Sequence, residues 1–145
     1  RRAARVMPMT YASACRETFE AELAELIATL DANPEVTGLV LAGSTADRAR
    51  VDEWSDLDFL VVAASDEAAV RMRDDLTWLP RSDRIVLRPR EGGHGLKVVY
   101  DDARVLEFAV FGPDELGLAV LNAYEVAIDR GGIAATAQDA ARRPR

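Results

Sequence analysis

The sequence predicts an α/β (α+β) protein, a mixed β-sheet flanked by helices. Segments with helical periodicity alternate with short β-prone runs, in the order helix, strand, turn, strand, helix, three strands, helix, strand. The 145 residues suffice for one domain. With 49% hydrophobic and 30% charged residues, the composition is that of an ordinary globular protein.

The first half of the chain predicts a helix followed by two strands. Apolar residues recur at helical spacing over residues 10–32, at Phe19, Leu23, Leu26, Ile27 and Leu30. This helix ends before Pro34, because proline disfavours helix at the preceding residue. A β-prone run over 36–41, a brief helical turn over 45–50 and a strand over 57–62 follow.

The second half predicts a helix, a hairpin and a second helix start among strands. Ser65 is a suitable N-cap for a helix that runs to about Leu79. Pro113 suits a helix start, and residues 101–103 form a tight hairpin turn. Further strands are predicted over residues 84–87, 96–100, 104–111 and 125–128.

These elements form one domain over residues 10–132. Residues 1–9 are a flexible lead-in without a secretory apolar core, and 133–145 are a tail or the start of a C-terminal helical region. No apolar run reaches the length of a membrane span. Cys15 is the only cysteine, which excludes an internal disulfide and fits a reducing, cytoplasmic compartment.

The net charge indicates which kinds of partner this chain is suited to bind. A formal charge of −7 argues against a nucleic-acid groove, which needs a basic face. The same acidity fits either a cationic small substrate or no charged substrate at all. His94 is expected to be a solvated loop residue, and Asp129-Arg130 a surface ion pair.

Asp56 and Asp58 interrupt an apolar run that continues through Val62. Because side chains alternate across a strand, both carboxylates face one side, with their Cα atoms about 6.5–7 Å apart, and Leu57 and Phe59 face the core. Carboxylates in apolar surroundings are costly without a positive partner. Hard cations such as Mg²⁺ take oxygen ligands, and paired carboxylates suit two-metal phosphoryl transfer. The pattern therefore predicts a magnesium site.

A glycine-serine pair precedes the aspartates and a third acid follows them. Gly43 lets the backbone approach a ligand closely, and Ser44 offers its hydroxyl and a backbone N–H to a phosphate. Glu107 is a lone acid in a strand whose Leu106 and Phe108 form the apolar face. If this strand lies beside that of the aspartates, Glu107 completes a three-acid cluster that binds metal or accepts a proton.

This combination resembles the motif of the polymerase-β-type nucleotidyltransferase superfamily. Gly43-Ser44 is followed by eleven residues, then by Asp56-Leu57-Asp58-Phe59 and later by an acid within a strand. Residues 43–59 are most similar to the small aminoglycoside and lincosamide adenylyltransferases and to minimal nucleotidyltransferases of prokaryotes. The motif core covers about residues 36–62, and a looser likeness extends to residues 129–131.

The resemblance implies a Mg²⁺-dependent enzyme, with two ions, that moves a nucleoside monophosphate from ATP or another nucleoside triphosphate to an acceptor hydroxyl. By position, Gly43 and Ser44 would hold the donor's phosphates, and Arg48 and Lys97 are weaker candidates for the same task. The metal ligands would be Asp56, Asp58 and Glu107, with Glu107 alternatively the general base. The acceptor would be a small molecule, for example an aminoglycoside or lincosamide antibiotic.

Alternatives remain at each step. The aspartates could cap a strand, Glu107 could reach water from an edge strand, and Gly43-Ser44 could be an ordinary strand-to-helix turn. Many antibiotic-modifying relatives carry a C-terminal helical domain that supplies much of the acceptor pocket. The sequence is therefore also compatible with two other functions. One is a minimal enzyme that modifies a partner protein of the toxin–antitoxin type, and the other is a non-catalytic nucleotide-binding module. A protein partner of this chain would be a second copy of the same chain or a helical protein.

Overall fold

The structure, a computed structural model, describes residues 11–47 and 56–142. It contains seven strands: β1 (Val36–Ala42), β2 (Leu57–Ala63), β3 (Ile85–Leu87), β4 (Arg90–Glu91), β5 (Gly95–Tyr100), β6 (Val105–Phe111) and β7 (Tyr124–Asp129). Four helices accompany them: α1 (Tyr11–Asp31), α2 (Gly43–Ala46), α3 (Asp66–Asp74) and α4 (Ile133–Arg142). The predicted α/β class is confirmed.

All seven strands join one mixed sheet. Its order is β3-β5-β6-β2-β1-β7, and β4 also pairs with β5. β2 and β6 run parallel, whereas the other pairs in the described residues are antiparallel. The parallel pair lies at the centre of the sheet, so the predicted aspartate strand and the predicted glutamate strand are direct neighbours.

One face of the sheet, which we call the core face, is covered by α1 and α3. The apolar stripe of α1 is buried there as its periodicity predicts, at Phe19, Leu23, Leu26 and Leu30. From the sheet, Phe59 and Phe108 stack with ring centroids 5.0 Å apart, and the Trp78 ring meets Phe108 edge-on. These contacts make the core face the main hydrophobic core.

The opposite face, which we call the second face, is apolar over only part of its area. Val40, Val62 and Phe111 are buried there beneath Ile133 and Ala137 of α4. α4 begins where Asp129 accepts hydrogen bonds from the backbone N–H groups of three residues, Gly131, Ile133 and Ala134. Asp129 therefore caps this helix instead of forming the expected pair with Arg130, whose guanidinium binds Asp31.

Helix α3 begins as predicted but ends earlier. The Ser65 hydroxyl accepts from the backbone N–H of Ala68 at 3.1 Å, which confirms the cap. The helix ends at Asp74 rather than near Leu79. The Asp75 carboxylate accepts from the N–H of Thr77, and the negative pole of a helix disfavours acids there.

Pro113 does not start an α-helix in the described chain. The Glu115 carboxylate accepts from the N–H of Gly112 at 2.7 Å and ties the segment into a turn. Only a short 3₁₀ helix, Leu116–Leu118, follows. The hairpin turn at 101–103 is confirmed, with Ala103 in the left-handed region at φ 68°. No helix in the described residues has the length and apolar character needed to cross a membrane.

Candidate active site

The two aspartates lie at the beginning of β2. Leu57 and Phe59 are buried in the core face, and strand alternation turns the half-buried Asp58 toward the second face. Asp56 directly precedes the strand and is also half-buried. Their carboxylates are close enough to repel, because the charge of Asp56 contributes to the raised pKa of Asp58. The structure thus brings the pair together on one side of the sheet.

Glu107 lies beside Asp58. β2 and β6 are parallel and in a register that pairs Asp58 with Glu107 and Phe59 with Phe108. Because Leu106 and Phe108 are buried in the core face, Glu107 shares the second face with Asp58. The edge-strand alternative does not apply, since β6 lies between β2 and β5. Asp58 and Glu107, which are far apart in the chain, therefore lie side by side near the beginning of two central strands, with Asp56 close to Asp58.

The glycine-serine turn contacts the second aspartate. Gly43 has a φ of +54°, and a Cβ placed on it would lie 3.0 Å from Oδ2 of Asp58. Any side chain here would be strained by the backbone and would press on the carboxylate. Ser44 follows in the first turn of α2 and is half-buried. The structure thus places Gly43-Ser44 at the end of β1 and against the carboxylate cluster.

Thr45 fixes this arrangement and was not predicted from the sequence. Its side chain is fully buried, and its Oγ1 accepts a hydrogen bond of 2.8 Å from the backbone N–H of Asp58. The bond joins the turn after β1 to the beginning of β2. The available signal was a hydroxyl residue directly after the glycine-serine pair, which is too common to identify a role.

All three acids have raised pKa values. Burial is the main cause for Asp56, and the charges of Lys97 and Arg104 partly oppose it. Burial also raises the pKa of Asp58, and the neighbouring Asp56 charge adds to it. For all three acids, including Glu107, burial is the largest cause, and it disfavours the charged carboxylate.

Glu107 has a further acidic neighbour. Burial raises its pKa first, followed by the charges of Glu91 and Asp58 and by a hydrogen bond with the Glu91 side chain, whereas Lys97 lowers it. Glu91 lies in β4, a two-residue strand that the sequence did not predict. Its role could not be anticipated, because the segment from Pro89 to Gly95 has the composition of a loop.

The donor chemistry of the cluster fits magnesium, although no metal cage is preformed. Among residues 11–47 and 56–142, no three acidic, histidine or cysteine side chains are grouped tightly enough to hold one ion. Mg²⁺ in nucleotide enzymes is held by one or two carboxylates together with substrate phosphates and water. The half-buried carboxylates of Asp56 and Asp58, beside Gly43, are oxygen donors of that kind.

The sequence-based expectations for Arg48, His94 and Cys15 have separate outcomes. Arg48 falls outside the described residues. His94 is not simply solvated, because its Nε2 lies 2.6 Å from the Glu115 carboxylate and its ring packs on Phe111. Cys15 is half-buried and free.

A cleft of about 350 Å³ opens at the end of α3, lined by Asp75, Leu76, Thr77, Ser82, Asp83, Ile85 and Arg88. It contains none of the clustered acids.

Comparison of the chain with protein-family models and with curated protein sequences finds no match.

Proposed function

We propose that this protein is a metal-dependent nucleotidyltransferase that moves a nucleoside monophosphate, AMP in the first instance, from a nucleoside triphosphate to a hydroxyl of a small molecule. The observation that supports this most strongly is the register pairing of Asp58 with Glu107, with Gly43 against the Asp58 carboxylate. A glycine turn and three converging acids suit a triphosphate and its metal ions together.

Each residue has a part in this proposal. Asp56 and Asp58 would hold magnesium ions, which neutralise phosphate charge and align the reacting oxygens. Gly43 and Ser44 would hold the donor's phosphates, since glycine lets the backbone approach a ligand closely. The acceptor oxygen bonds to the α-phosphorus, and the bond between that phosphorus and the pyrophosphate oxygen breaks. The raised pKa of Glu107 suits it to accept the proton of the acceptor hydroxyl.

The acceptor class is proposed from charge. The net charge of −7 and the clustered carboxylates favour a cationic molecule that carries hydroxyl groups, of which an aminoglycoside is one and a lincosamide is a second to test. A cytoplasmic location, where nucleoside triphosphates and magnesium are available, belongs to the same proposal.

The direct test is transfer of label from α-labelled ATP in the presence of Mg²⁺ to a panel of aminoglycosides and lincosamides. We expect labelled acceptor and released pyrophosphate. Asp58→Asn should lower turnover at least about 100-fold, because it removes a carboxylate that would hold magnesium at the transferred phosphoryl group. Asp139→Asn, an exposed acid of α4, is the matched control and should retain wild-type turnover.

The remaining results separate the alternatives. Label on a co-purified protein would replace the small-molecule acceptor with a protein acceptor. Binding of Mg²⁺–ATP without transfer to any acceptor would indicate a nucleotide-binding module. Unchanged turnover in Asp58→Asn would mean that the site lies elsewhere.

A further inference from the structure

Lysine occurs only once in this chain, and it lies at the candidate site. The other basic residues are seventeen arginines. Lys97 stands in β5 between Leu96 and Val98, which are buried in the core face, so its half-buried side chain faces the second face. The antiparallel register of β5 and β6 pairs Lys97 with Glu107. The row across the sheet is therefore Lys97, Glu107, Asp58.

The ammonium group acts on two of the acids without binding either tightly. Its charge lowers the pKa of Asp56 and that of Glu107 against the effect of burial. Within the described part of the chain, it forms no direct ion pair of 4 Å or less. A cation that lies among carboxylates without a fixed partner is free to move when a stronger cation enters.

The nearby arginine behaves differently. Arg104 also acts on Asp56, but its guanidinium is held by Glu22 at 2.8 and 3.0 Å. A guanidinium is a planar fork that binds a carboxylate through two fixed bonds, whereas an ammonium is a compact point charge on a flexible stem. A lysine is therefore better suited than an arginine to supply a positive charge that a metal ion can displace. Lys97 is the only lysine in the sequence.

We propose that Lys97 is the counter-cation of the carboxylate cluster and competes there with the divalent ion. When the metal is absent, the ammonium lowers the repulsion among Asp56, Asp58 and Glu107. When a divalent ion binds, the ammonium moves away from the carboxylates, so that Lys97 sets how tightly the metal is held. This inference rests on the proposed function, since it takes Asp56 and Asp58 as the metal ligands beside Glu107.

The test is Mn²⁺ binding to the whole chain without nucleotide, followed by the loss of the free-ion electron paramagnetic resonance signal. Lys97→Met keeps the apolar stem and removes the charge, so it should bind Mn²⁺ roughly five- to tenfold more tightly than the wild type. Lys97→Arg should bind no more tightly than the wild type. Arg71→Met, which removes an exposed charge of α3 on the core-face side, is the matched control and should change the affinity less than about twofold.

Three results would overturn the inference. Lys97→Met could bind Mn²⁺ no more tightly than the wild type. It could instead lose affinity for metal-free ATP with unchanged Mn²⁺ affinity, which would make Lys97 a phosphate contact only. Asp58→Asn could retain wild-type Mn²⁺ binding, which would place the ion outside the cluster. Lys97→Gln provides a second neutral variant if Lys97→Met does not fold, with folding checked by urea unfolding.

The same measurements keep this inference separate from the proposed function. If the wild type transfers label from ATP and Lys97→Met does not tighten Mn²⁺ binding, only the inference fails. If neither protein binds Mn²⁺ and the wild type transfers no label, both fail.

Discussion

Two neighbouring residue pairs on the central strands have opposite surroundings. Phe59 and Phe108 pair across β2 and β6, and their rings stack in the core face at an interplanar angle of 7°. One residue earlier on each strand, Asp58 and Glu107 pair on the second face, where the charge of Asp58 adds to the raised pKa of Glu107. The two pairs lie on the same two strands, and they differ in the face of the sheet that their side chains occupy.

The two faces of the sheet differ in what they contribute: the core face stabilises the fold, and the second face carries the candidate site. The core face is covered by two helices and supplies most of the buried apolar surface. The second face is covered by α4 only over its apolar part, where Val40, Val62 and Phe111 lie. At the carboxylate end, Asp56, Asp58 and Glu107 are half-buried and their pKa values are raised. Like-charged groups held together by a rigid core are a common arrangement at functional sites.

The largest effect is expected when the aromatic pair is broken. Phe59→Ala removes a fully buried ring and should lower the free energy of unfolding by about 3–5 kcal/mol. Urea unfolding measures this change. Val86→Ala, at a side chain 58% exposed, should change it by less than about 0.5 kcal/mol. Similar losses in the two variants would contradict the assignment of the main core to this face.

A smaller effect is expected on the apolar part of the second face. A Cβ on Gly38 would lie 2.7 and 2.8 Å from the side-chain carbons of Ile133, so Gly38→Ala should cost about 1–3 kcal/mol by overpacking. The matched control is Gly93→Ala, whose Cβ would meet open space. Adding Ile133→Ala should make the Gly38 change less costly in a double-mutant cycle. Strict additivity would show that α4 does not pack there.

Much of the fold follows from local sequence signals. The apolar stripe of α1, the Ser65 cap and the alternation in β2 and β6 predicted their elements closely, because each signal lies within the element itself. The end of α3 and the turn after Gly112 depend instead on side chains, Asp75 and Glu115, that bind the backbone in place of helical carbonyls. Propensity alone does not reveal that competition.

The candidate site was predictable only in part. The residue types at Asp56, Asp58 and Glu107 indicated paired carboxylates, but the sequence could not show that β2 and β6 are adjacent and in a register that brings them level. The contributions of Glu91 and Thr45 come from tertiary contacts, one with Glu107 and one with the Asp58 backbone. Contacts between residues that are distant in the chain leave no recognisable pattern in the local sequence.

Asp58 of the charged pair offers a stability test in which removal of a charge should stabilise the protein. Burial and Asp56 raise the pKa of Asp58 above its ordinary value of 3.8, so the folded state holds the charged form less well than the unfolded state. Stability should therefore fall as pH rises through that raised pKa. Asp58→Asn should be more stable than the wild type at pH 7, by less than about 1 kcal/mol because solvent screens the partly exposed group, with the difference vanishing below pH 3.8. Urea unfolding across this range measures it, and a destabilised Asp58→Asn would contradict the repulsion.

The smallest effect, with the opposite sign, is expected at Glu115. The hydrogen bond from His94, and then the N–H of Gly112, lower the pKa of Glu115 below its ordinary value of 4.5. Its contribution should be complete above pH 4.5 and should be lost as pH falls through the lowered pKa. Because the pair is partly exposed, Glu115→Gln should cost less than about 1 kcal/mol at pH 5.5, a difference that shrinks toward pH 3. If Glu115→Gln and Asp58→Asn shifted stability in the same direction, the contrast between satisfied and undercompensated carboxylates on this face would be wrong.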